Sequence, residues 1–149
     1  MAATNPQTGG VFDPSKDVVV GGTIASRGPK ANTSGVGYTV GAGSCVTHAS
    51  NRTTAVTCNG LCGTITTNNT SLAAEAAAAF VVTNNCVEAG DVVIICQKSG
   101  AIGVMTDVVV VAVANGSFTL SVMNNNASGG TAETGAILIN FAVIKAVTT

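Results

Sequence analysis

A chain of 149 residues is the length of one ordinary domain. Apolar residues make up 46% of it and charged ones only 9%, against an ordinary usage of about 25% charged. A formal net charge of −1 supplies no field to hold phosphate backbones or an anionic membrane surface, which removes the main source of affinity for nucleic acid. So little charge also leaves a lone monomer poorly equipped to cover its own surface, and contiguous exposed apolar area is usually an interaction site.

The opening Met1 to Gly10 has neither the basic stretch nor the apolar run of a secretion signal, so the chain is expected to begin in the cytoplasm that makes it. All three prolines, Pro6, Pro14 and Pro29, fall early, together with Gly9-Gly10, Gly21-Gly22 and half of the basic residues, Lys16, Arg27 and Lys30. This shift in composition places a boundary near residue 35. Residues 1–35 read as an extended N-terminal arm, because Pro and Gly pairs punctuate them too often for a packed element. Asp17–Gly21 is the one short strand expected there. A solvated leader is the alternative, but Phe12 and the run Val18, Val19, Val20 favour an arm that docks on a partner.

From residue 36 to 149 the vocabulary is Val, Thr, Ile, Ala, Asn and Gly, which suits pleated surfaces. Strands are predicted near Tyr38–Val46, Thr53–Cys58, Gly63–Thr67, Ala79–Asn84, Asp91–Lys98, Asp107–Ala114, Ser117–Asn124 and Ala136–Val147, separated by Asn, Ser and Gly turns. Asn115-Gly116 predicts a two-residue hairpin of type I′, with positive φ at both positions. Ser71–Ala79 holds the best helix formers behind a capping Ser and predicts a single helical turn. Together the pattern is all-β: a single antiparallel β-sandwich or jelly-roll-like domain carrying the extended arm.

The strands are of two kinds. Phe118, Leu120 and Val122 alternate with Ser117, Thr119 and Ser121, as expected when one face is core and the other wet. Val92–Cys96 and Val108–Val113 do not alternate, so both their faces should be covered, the second by a neighbouring subunit. The apolar stretch Val104–Ala114 is broken by Asp107 and falls short of the ~20 residues of a spanning helix, so no membrane segment is expected.

Motifs for chemistry are sparse. His48 is the sole histidine, and the seven acids are scattered apart from Glu88 and Asp91, which flank a turn. A lone His near a strand end is expected to be an ordinary polar surface group rather than a general base. The five cysteines, Cys45, Cys58, Cys62, Cys86 and Cys96, read as packed thiols, with oxidation of one or two pairs outside the cell as the alternative. Cys58, Cys62 and His48 make too thin a set for structural zinc, which ordinarily pairs close doublets. Gly35, Gly37, Gly41 and Gly43 lack the following helix that a dinucleotide site needs. No catalytic residue, metal or cofactor is expected.

The order of several segments does carry a resemblance. Gly35-Val-Gly-Tyr-Thr-Val-Gly-Ala-Gly43, Val46–Thr57, Gly63–Thr67, Phe80–Asn84, Gly116–Leu120 and above all Asn140-Phe-Ala-Val-Ile-Lys145 resemble a family of phage and prophage structural proteins that includes capsid decoration, or cement, proteins. The resemblance covers residues 35–149. It implies a non-enzymatic virion protein on the outer surface of the capsid, partnered by the major capsid protein and by itself, commonly as a homotrimer. The expected contact residues are Phe12, Val18, Val19, Val20 and Arg27 in the arm, with Val109 and Val111 in the body. The cysteine load and Glu75 depart from that family's pattern. A tail-fibre or receptor- and glycan-binding β-domain of the virion is the rival, although one Tyr and no Trp leave few aromatic platforms for sugars.

Overall fold

A computed structural model describes residues 37–38 and 41–146. Eight strands occupy them: β1 (Gly43–Thr47), β2 (Val56–Thr57), β3 (Cys62–Thr66), β4 (Ala77–Thr83), β5 (Val92–Ser99), β6 (Thr106–Ala114), β7 (Ser117–Asn124) and β8 (Leu138–Ile144). They form two four-stranded sheets, β1-β3-β8-β5 and β2-β4-β7-β6. The arm at residues 1–35, with Phe12, Val18, Val19, Val20 and Arg27, lies outside the described residues.

Both sheets are mixed rather than purely antiparallel. β1 pairs with β3 in parallel, and so does β2 with β4, while the remaining neighbours are antiparallel. The reason lies in the connections. From β1 to β6 the chain changes sheet at every link, so strands two apart along the chain run the same way when they meet side by side. Only β6 and β7 are consecutive neighbours within one sheet.

The inward residues alternate along each strand and merge into one apolar cluster. Ile65, Ile139, Phe141 and Val143 from the first sheet meet Phe80, Val82, Phe118, Leu120 and Val122 from the second. Phe118 and Phe141 bridge the sheets with ring centroids 5.3 Å apart, a separation within the favourable range for tilted aromatic pairs. At Gly63 a Cβ would stand 2.1 Å from the Ser44 carbonyl oxygen and 2.7 Å from the Phe141 ring, so glycine is what lets β1 approach β3 over that ring.

Two local expectations fail for tertiary reasons. Ser71–Ala79 forms no helical turn: Leu72 and Glu133 exchange backbone hydrogen bonds of 2.9 Å in an isolated antiparallel bridge, Glu75 turns the chain at φ 62°, and β4 begins at Ala77. Long-range pairing there outweighs alanine's modest helix propensity. In the β6–β7 turn Gly116 has φ 77° but Asn115 has no positive φ, so the turn is not type I′. The Asn115 side chain accepts from the Ala89 N–H at 2.9 Å, and Gly116 bonds to both Val87 and Asn84, which ties the turn to a neighbouring loop.

Candidate functional site

Two features stand out, a buried polar network and an exposed apolar edge, and the first shapes the second. Arg52, midway along the connection between β1 and β2, is buried. Its guanidinium donates to the carbonyls of Thr70 (2.6 Å), Gly135 (2.8 Å) and Glu133 (3.2 Å) and to the Thr67 hydroxyl (3.1 Å). A buried charge is tolerable only when its donors are met in this way.

Glu133 supplies the opposite charge from a fully buried position. Its carboxylate accepts from the N–H groups of Ile102 (3.1 Å), Gly103 (3.0 Å) and Gly135 (2.6 Å) and from the Thr106 hydroxyl (2.6 Å). Burial by itself would raise its pKa, but these donors outweigh burial and hold it down at about 2, from an ordinary 4.5. Such a group is ionised at neutral pH, with its lone pairs occupied, and is a poor proton acceptor. What it does instead is clamp the Ala101–Met105 loop between β5 and β6. Gly100 and Gly135 touch at the base of that loop: a Cβ on Gly135 would stand 1.9 Å from the Gly100 carbonyl oxygen.

The clamped loop presents apolar side chains to solvent. Val104 is 98% exposed, and Ile102 and Met105 are also exposed. The flanking strands continue the pattern. Val92 and Ile94 of β5 are about half exposed at 51% and 50%, while on β6 Val109 is 38% and Val111 58% exposed. Val111 is the extra residue where the β6–β7 register shifts between Val110 and Ala112. The predicted contact residues Val109 and Val111 thus stand on the open side of β6, and the strands without alternation in sequence do alternate in burial, each with one face on the core and the other open.

Several other titratable or thiol groups serve the packing. His48 is 3% exposed, a correction to the expectation of a surface group: its ring packs edge-on against Phe80 at 4.3 Å, Nδ1 donates to the Asn51 carbonyl at 3.2 Å, and Nε2 is buried without a partner. Burial chiefly, with the nearby Arg52 charge, lowers its pKa. Lys145 binds Asp91 (2.7 Å) and Glu88 (3.0 Å), fastening the end of β8 to the loop before β5. All five cysteines are free, with Cys45 and Cys96 exposed and Cys58 buried, and burial pushes the Cys58 thiol up. Among the described residues no three His, Cys, Asp or Glu side chains converge as a metal site, and no helix is long and apolar enough to cross a membrane.

Sequence reasoning named Val109 and Val111 but missed Arg52, Glu133 and the Ile102–Met105 loop. Only the pairing of the loop glycines Gly100, Gly103 and Gly135 with an acid and a Thr could have hinted at the clamp. Comparison with known proteins finds no matching family model, no matching curated protein and no matching solved structure.

Proposed function

We propose that the chain is a structural virion protein that binds the outside of a phage head and stabilises contacts between major capsid subunits. Its two sheets form a β-sandwich whose work is done by surfaces rather than by turnover. The observation that carries this reading is the character of the open sheet faces. On the first sheet the outward positions of β5 and β8 hold Val92, Ile94, Cys96, Asn140, Ala142 and Ile144, and the exposed Lys98 near the end of β5 is the charged residue beside them. On the second, Ala77, Ala79, Val81, Ser121, Thr119 and Val109 share the outward side, and Asp107 is the charged residue at its end. Faces so short of charge gain by being covered, at about 25 cal/mol per Å2 of apolar area removed from water.

The resemblance of residues 35–149 to phage structural proteins supports the same assignment, as does the composition of the arm. In this reading Phe12, Val18, Val19, Val20 and Arg27 reach a neighbouring capsid subunit, while the body stands on the capsid surface as a homo-oligomer. Co-sedimentation with heads that lack the protein tests it. The full chain should bind to saturation at hundreds of copies per head, and a chain lacking residues 1–30 should stay folded and bind at least tenfold more weakly. Failure of the full chain to bind heads, or a few copies confined to the tail, would refute it in favour of a fibre domain.

A further inference from the structure

Exposed apolar side chains are not spread evenly over the body. Among the described residues ten large hydrophobics are exposed, and seven lie between Val92 and Val111: Val92, Ile94 and Val109 on the outward faces of β5 and β6, Ile102, Val104 and Met105 on the clamped loop, and Val111 at the β6 register shift. These two strands are the edges of the two sheets on the same side of the molecule, whereas β1 and β2, which form the opposite edge, carry none of the ten. We propose that the β5–β6 edge is the surface on which a second copy of this chain docks, with the Glu133-clamped tip at Val104 as its anchor. The inference rests on the reading of the chain as an assembly protein and deepens it by naming where self-association occurs.

The dimensions suit that occupant. Eight residues of β5 span about 26 Å and two stacked sheets with their side chains about 20 Å, so a flat contact removes roughly 500 Å2 per copy. The total of roughly 1,000 Å2 is where specific interfaces begin, and the protruding loop adds to it. The charges suit it as well. From Val92 to Val111 the charged residues are Lys98 and Asp107, one of each sign, flanking the loop at the same end of the edge. Rotation about an axis along the strands brings Lys98 of one copy level with Asp107 of the next.

The contact is made by side chains rather than by extending a sheet. Both edge strands are irregular, with register shifts between Gln97 and Ser99 on β5 and between Val110 and Ala112 on β6. Such irregularities, with a lysine beside one of them, interrupt the regular row of backbone groups that an added strand would need. The clamp has a purpose under this reading. Fixing Ile102 and Gly103 through Glu133 holds the tip in its docking shape beforehand, which lowers the ordering cost of association.

Analytical ultracentrifugation of the full chain tests the inference. The wild type should sediment as a multiple of its 14.5 kDa mass at micromolar concentration. Val104→Asp, at a position with no packing to lose, should raise the dissociation constant about 30-fold or more, as loss of an interface anchor does, and Val111→Asp should act in the same direction. Val81→Asp, exposed on β4 away from the edge, should leave it unchanged. Circular dichroism confirms that each variant is folded. A monomeric wild type at 100 µM concentration (about 1.5 g/L) overturns the proposal, as does a Val104→Asp chain of undiminished mass or a Val81→Asp chain that dissociates equally. Head binding is scored separately: a monomer that still binds heads sinks the edge alone, and an oligomer that ignores heads sinks the capsid reading alone.

Discussion

Replacing Glu133 with Gln keeps the shape of the side chain but removes the charge that four donor groups share. A carboxyl held at about 2 in the folded chain and 4.5 when unfolded corresponds to about 3 kcal/mol of stability at neutral pH, since each unit is worth about 1.4 kcal/mol. The folded value is the lower one. Stability is therefore complete above the unfolded pKa and is lost as pH falls through the folded one, over roughly pH 5 to 2. Glu133→Gln should lose about 3 kcal/mol at pH 7, a midpoint shift of about 2 M urea at a slope near 1.5 kcal/mol per M. Against a typical total of about 5–15 kcal/mol, the loss is severe. Urea unfolding followed by far-ultraviolet circular dichroism at pH 7, 5 and 3 measures it, and the gap to wild type should shrink by more than half by pH 3. A variant within about 0.3 M of wild type at pH 7, or a gap that ignores pH, would show that the clamp does not carry the stability assigned to it.

Other outcomes follow from the same geometry. Phe118→Ala, which empties the contact between the sheets, should cost about 3–5 kcal/mol in the same urea assay. Gly63→Ala should destabilise the chain, because its methyl would meet the Ser44 carbonyl and the Phe141 ring; unchanged stability would mean that β1 does not lie against β3 as described. His48→Phe should flatten the stability profile below about pH 6.5: a neutral buried His with a lowered pKa binds fewer protons folded than unfolded, so wild type weakens as pH drops below the ordinary histidine value. In thiol titration with an aromatic disulfide reagent, Cys45 and Cys96 should react at once, and Cys58 only after denaturant is added.

The residues alone determined the class of the fold and most strand positions, because β-branched side chains and Asn–Gly turns act locally; Ser117–Asn124 is a strand with the predicted bounds, and β4, β5 and β6 fall within two residues of theirs. They also located the open apolar strands, since Val92–Cys96 and Val108–Val113 have no polar side to offer water. Tertiary structure decided what local rules cannot reach. The direction of β1 against β3 and β2 against β4 depends on which sheet each link enters, a property of the whole chain. An alanine run became strand because Ala77, Ala78 and Ala79 pair with Met123, Val122 and Ser121 of β7, more than 40 residues along the chain (from 79 to 121 at the nearest). His48, Arg52 and Glu133 look like surface residues by composition, and only the packing that surrounds them supplies the donors and acceptors that make burial affordable.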